Sequence, residues 1–120
     1  MALKDELTEI ERGFWTGGED YFLAHLDEKC LLAFPQMAGA YSREEVAATA
    51  KEPQRWKDLS TQEKGFLQPT GDMAELAYEA RATRANGEPY RALVSTLYVR
   101  RDDGWKMAFH SQTPLEGESA

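Results

Sequence analysis

His110 and Gln112 stand two residues apart in the stretch Gly104-Trp105-Lys106-Met107-Ala108-Phe109-His110-Ser111-Gln112-Thr113-Pro114. An imidazole titrates near neutral pH and can take or give a proton, and a carboxamide on the same strand face can orient it or a substrate oxygen. Strand alternation bears on this. If Trp105, Met107 and Phe109 point inward, then Ala108, His110 and Gln112 point outward, unless a bulge shifts the register. By that parity His110 is a weak catalytic candidate. Glu79 and Arg81 offer a second pair, a carboxylate and a guanidinium on one strand face. Their neighbours Glu75 and Thr83 share that face, so a cross-strand ion-pair ladder is the simpler expectation. Asp20, Asp72, Asp102 and Asp103 sit at a helix start or in turns, where backbone capping accounts for them. His25, Cys30 and His110 lack clustered ligand spacing, so no metal is expected. Gly17-Gly18 lacks the Lys-Ser/Thr continuation of a phosphate loop, and no cofactor is implied.

These residues need a scaffold, and the second half of the chain supplies most of it. Asn86-Gly87 and Asp102-Asp103-Gly104 are turn signals that cut residues 73 to 113 into three strand-like runs, an antiparallel meander. From Met73 to Ala85, Leu76, Tyr78, Ala80 and Ala82 share one face, while Glu75, Glu79, Arg81 and Thr83 share the other. From Tyr90 to Arg101 both faces are largely apolar, with Ala92, Val94, Thr96 and Tyr98 opposite Leu93, Leu97 and Val99. Helices can cover one side. The other side calls for a second copy, so a homodimer through the outer sheet face is expected.

The first half reads as helices and one short strand. Leu3, Leu7, Ile10 and Phe14 form the apolar stripe of a first helix, which Gly17-Gly18 ends. A short second helix starts at Glu19-Asp20 and turns Phe22, Leu23 and Leu26 inward. Cys30-Leu31-Leu32-Ala33-Phe34-Pro35 is a brief strand, followed by a loop through Gly39. Ser42 and Glu45 match a capping box, which predicts a helix from Arg43 to Lys51, ending before Pro53. Leu59 to Gln68 alternates only loosely and suits an edge or strongly curved strand before the turn Pro69-Thr70-Gly71-Asp72.

At 120 residues the chain has room for one domain (1–120), with a frayed tail expected over residues 115 to 120. Twenty-one acids against 14 bases, a formal charge of −7, disfavour nucleic acid or an anionic membrane as partner. A single cysteine, Cys30, leaves no intrachain disulfide and fits a buried small apolar side chain. With no apolar run of about 20 residues and no leader-like start, cytoplasmic residence is the expectation.

The element order resembles the nuclear transport factor 2-like superfamily, and more narrowly its small bacterial SnoaL-like and stand-alone branch. Three stretches carry the likeness: Glu9-Ile10-Glu11-Arg12-Gly13-Phe14-Trp15, Tyr41-Ser42-Arg43-Glu44-Glu45-Val46, and Tyr98-Val99-Arg100-Arg101-Asp102-Asp103-Gly104-Trp105-Lys106-Met107-Ala108-Phe109-His110. The resemblance implies an α+β conical fold, with three N-terminal helices packed on a strongly curved, mostly antiparallel sheet around an apolar cavity. Trp15, Phe34, Tyr41, Trp56, Tyr78, Tyr98, Met107 and Phe109 are then the candidate pocket residues. The superfamily's acid-base sets do not map onto this chain residue by residue. Three functions stay open: a binder of a small, mostly apolar molecule; an isomerase, dehydratase or cyclase-type enzyme using a pocket residue such as His110 or Tyr98; and a pure association domain.

Overall fold

The computed structural model describes residues 2–51 and 56–115. Helices α1 (Leu3–Thr16) and α2 (Glu19–His25) lead into strands β1 (Leu26–Ala33) and β2 (Ala38–Ser42). Helix α3 (Arg43–Ala48) follows, then β3 (Trp56–Thr70), β4 (Met73–Arg84), β5 (Pro89–Arg101) and β6 (Gly104–Pro114). The six strands form one sheet in the order β2-β1-β6-β5-β4-β3, in which only β1 and β6 run parallel. The α+β architecture with a mostly antiparallel sheet is as the sequence predicts. Among the described residues no helix is long and apolar enough to cross a membrane.

Several boundaries differ from the pattern reading. β1 begins at Leu26, four residues before Cys30, because Leu26, Cys30 and Leu32 face the core while Asp27, Glu28 and Lys29 obscure the alternation. Ala38 to Ser42, expected as loop, forms β2 and pairs with β1 from Lys29↔Ser42 to Ala33↔Ala38. Its small residues carry no hydrophobic period. The capping box is present: Ser42 Oγ accepts from Glu45 N at 3.1 Å and Glu45 Oε1 accepts from Ser42 N at 2.8 Å. α3 is nevertheless shorter than expected, since Thr49 turns its hydroxyl onto the Val46 carbonyl at 2.7 Å. Pro53 lies outside the described residues, as do residues 116–120 of the expected tail; Leu115 N still bonds Arg91 O at 2.8 Å.

β3 is the exposed edge strand. Three register shifts against β4 interrupt its pairing, and such irregularities bend and twist a strand, which curls this side of the sheet. Ala74, Leu76, Tyr78, Ala80 and Ala82 of β4, with Ala92, Val94, Thr96 and Tyr98 of β5, are buried on the inner face against the helices. From α1, Leu7, Glu11, Phe14 and Trp15 turn toward that face. Burying a side chain such as Leu7 or Leu26 contributes roughly 1.5–3 kcal/mol. The alanines of β4 and β5 do something else: they leave space on the inner wall that Trp15, Trp56 and Tyr90 partly occupy.

The register of β6 corrects the parity argument. Tyr98 pairs with Met107 and Leu97 with Phe109, so Ala108 is an extra residue, a β-bulge opposite β5. One inserted residue moves everything after it to the opposite face. Met107 and His110 are therefore both inward and buried, while Phe109 faces outward between Leu31 of β1 and Leu97 of β5. The buried Thr96 hydroxyl donates to the Phe109 carbonyl at 3.0 Å, giving that carbonyl a partner beside the bulge.

Candidate functional site

A cavity of about 450 Å3 lies between the inner sheet face and the helices. Phe14, Trp15, Phe22, Leu32 and Phe34 form part of its wall, with Met37, Val46, Trp56, Tyr90 and Met107. Pro35, Gln36, Thr49 and Pro114 also line it and are exposed, which marks where it opens to solvent. Cavities of about 300–1,000 Å3, mostly apolar with a few polar groups, are the usual containers for small molecules. Here the polar groups include His110, Gln112 and Arg84.

His110 is held from both sides. Its Nε2 lies 3.0 Å from Gln112 Nε2, and Gln112 Oε1 accepts from the Tyr90 hydroxyl at 2.7 Å. With the amide so oriented, the Gln112 NH2 donates to Nε2, which places the imidazole proton on Nδ1. Nδ1 is 3.4 Å from Glu11 Oε2 but is not aligned for a hydrogen bond, so it is a buried nitrogen with a carboxylate within reach. Burial holds the His110 pKa below its ordinary 6.5, and the Glu11 charge opposes this only in part. The ring is thus neutral at pH 7.

Glu11 is 2% exposed, and its two oxygens are both occupied. Tyr78 donates to Oε2 at 2.5 Å and Tyr98 to Oε1 at 2.6 Å, lengths typical of bonds to a charged acceptor. Trp15 Nε1 donates to the Tyr78 oxygen at 3.0 Å. Burial pushes both phenols well above their ordinary range, and the adjacent Glu11 charge adds to it, so both remain donors. The result is a line of polar groups, Glu11, His110, Gln112 and Tyr90, running from the core to the cavity, hydrogen-bonded from His110 onward.

Of the residues singled out by sequence, Trp15, Phe34, Trp56, Met107 and His110 line the cavity. Tyr78 and Tyr98 are not on its wall; they are buried donors to Glu11. Tyr41 packs against the main core from β2, its hydroxyl donating to Ala38 O at 3.3 Å, and Phe109 faces outward because of the bulge. Glu79 accepts from Arg91 at 2.7 Å and Arg81 at 3.3 Å, the ladder expected for that face. Burial pushes the Cys30 thiol up to about 12, leaving it without nucleophilic character at neutral pH.

Sequence reasoning missed Glu11, Arg84 and Tyr90. For Glu11 a signal existed, since it lies four residues after Leu7 and four before Trp15, on the stripe that helix geometry buries. Arg84 and Tyr90 lie on the same alternation as Ala82 of β4 and Ala92 of β5, so strand parity did mark both as facing inward.

His110 should leave a signature in stability. Its folded pKa is depressed, so the unfolded chain takes up a proton first; this stability is fully present above pH 6.5 and is lost as pH falls through the folded pKa. The loss has a limiting slope of about 1.4 kcal/mol per pH unit. Urea unfolding of the native chain and His110→Gln between pH 8 and 5 should show the native chain losing more stability below 6.5. His25, also depressed by burial, contributes equally to both and cancels. Parallel curves would place His110 in solvent.

The chain matches no protein-family model and no curated protein. It is similar to solved structures throughout its length. An NTF2-like protein of unknown function from Prochlorococcus sp. NATL2A aligns at TM-score 0.72 with 16% identity, over 98% of this chain and 97% of that one. A domain of unknown function with a cystatin-like fold from Nostoc punctiforme PCC 73102 aligns at 0.71 with 14% identity, over 98% and 81%. A ketosteroid isomerase-like protein from Erwinia carotovora atroseptica SCRI1043 aligns at 0.71 with 17% identity, over 96% and 95%. At these identities it is the fold that is shared: the chain has the cystatin-like α+β cone of the nuclear transport factor 2-like proteins.

Proposed function

We propose that this chain binds a small, mostly apolar organic molecule in its cavity and meets that molecule's polar atom at the polar strip of Gln112 and His110. The observation that carries this reading is the cavity itself, about 450 Å3, walled largely by aromatic and aliphatic side chains with a short polar strip at His110 and Gln112. A pure association domain needs no such space, and cores otherwise pack nearly without voids.

A second reading is an isomerase, dehydratase or cyclase-type enzyme. It is favoured by the unpaired Nδ1 of His110 with Glu11 Oε2 at 3.4 Å behind it. For Nε2 to take a proton from a bound molecule the Gln112 amide must first release its hydrogen bond to that nitrogen; the imidazolium then gains an adjacent carboxylate, and catalytic bonds of this kind are often long before substrate arrives. A structural neighbour named as ketosteroid isomerase-like is in keeping with an isomerase reading.

The homodimer belongs to the same proposal. Leu31, Phe109 and Leu97 lie side by side across β1, β6 and β5 on the outer face, and Leu31 and Leu93 are 50% and 42% exposed. Glu79 with Arg81 and Arg91 provides both signs of charge on that face, which suits a self-complementary two-fold contact.

Thermal-shift and calorimetric titration with steroids, polyketide-like aromatics and terpenoids should yield a saturable ligand, raising stability by about 2.7 kcal/mol at 100 times its Kd. Thr49→Trp, which places a large ring at the opening, should weaken that ligand; silence across all three classes would remove the binding reading. Light scattering after size exclusion should find a dimer that Phe109→Glu converts to monomer with ligand binding intact. A monomeric native chain at 100 μM would refute the interface.

A further inference from the structure

Resting on the binding reading above, we infer that the ligand is an organic monoanion, an apolar body carrying a carboxylate that pairs with Arg84 while its other end reaches toward His110. Arg84 ends β4, directly across from Trp56 of β3, and its side chain lines the cavity. Its guanidinium carbon lies 5.0 Å from the Trp56 ring centre and 4.7 Å from that of Tyr90. Those two rings are themselves 5.0 Å apart, and Trp15 is 5.3 Å from Trp56. A guanidinium resting on aromatic faces is held in place without consuming its hydrogen-bond donors, which remain available to a planar acceptor.

The charge pattern is the stronger argument. The chain carries 21 acids and 14 bases, yet among the described residues no carboxylate lines the cavity and Arg84 is the one formally charged side chain that does. Nor does Arg84 have a carboxylate partner among the described residues, whereas Arg81, Arg100 and Arg101 each pair with an acid. One guanidinium compensates one negative charge. A dianionic phosphate would keep an uncompensated charge in a protein of net charge −7, while a carboxylate matches the planar fork two-for-two. Tyr90 links the two polar ends, since its ring contacts Arg84 and its hydroxyl donates to the Gln112 that holds His110.

The test compares 2-naphthylacetate with 2-naphthylacetamide, which share an apolar body and differ in charge, by calorimetric titration at pH 7.5 in low salt. The native chain should bind the acetate about tenfold more tightly, the scale of a hydrogen bond to a charged group. Arg84→Gln should bring the two within about twofold of each other, the acetate losing more affinity than the amide, and Arg84→Lys should retain part of the preference. Equal or tighter amide binding by the native chain overturns the inference while leaving the binding reading intact, and so does a preference that persists in Arg84→Gln. Binding of neither compound, together with silence from the neutral ligand classes, overturns both. The comparison on the native chain needs no variant to fold.

Discussion

A carboxylate buried in the core is the constraint around which the inner layer of this protein is arranged. Glu11 comes from α1, and its partners come from β4, β5 and β6, so one side chain ties the first helix to three strands. Taking a carboxylate out of water costs several kcal/mol, and the two tyrosine bonds offset that at about 1.5–3 kcal/mol each. Such a group tolerates few alternatives. It fixes which face of β4 and β5 meets α1, and it gives the centre of an otherwise apolar layer a negative pole.

The bulge at Ala108 converts that structural group into part of a site. Without the extra residue, Phe109 would occupy the inner face and His110 would look outward; with it, the imidazole stands between Glu11 and Gln112 at the cavity wall. The same shift hands Phe109 to the outer face, beside Leu31 and Leu97. A single inserted residue therefore sets both the chemistry of the cavity and the apolarity of the back of the sheet. Arg84, stacked on Trp56 and Tyr90, then gives the cavity a charge opposite in sign to that of the protein as a whole.

Much of the scaffold was legible because local rules and tertiary packing agree there. The Leu7 and Phe14 stripe, the Ser42–Glu45 box, the Gly87 and Gly104 turns and the alternation of β4 and β5 each state one conformation. β2 was invisible because Ala38, Gly39 and Ala40 have no pattern to read, and β3 was faint because an edge strand exposed on most of its length needs no apolar face. The site was less legible than the fold for a definite reason. Alternation assigns faces only while the register is unbroken, and no residue of Met107-Ala108-Phe109-His110 announces a bulge. Thr96, whose hydroxyl serves the carbonyl beside it, sits on a different strand. Glu11 could have been found as an acid on a buried helical stripe, and Arg84 as a base continuing the inward alternation of β4.

The arrangement of Glu11, His110 and Gln112 is most directly tested by nitrogen-15 and proton NMR of the His110 ring, assigned by comparison with a His25→Gln chain. The structure predicts the tautomer protonated at Nδ1, with an unprotonated Nε2, and a pKa below 6.5. An Nε2-protonated ring, or titration at or above 6.5 as in a solvent-exposed histidine, would contradict it.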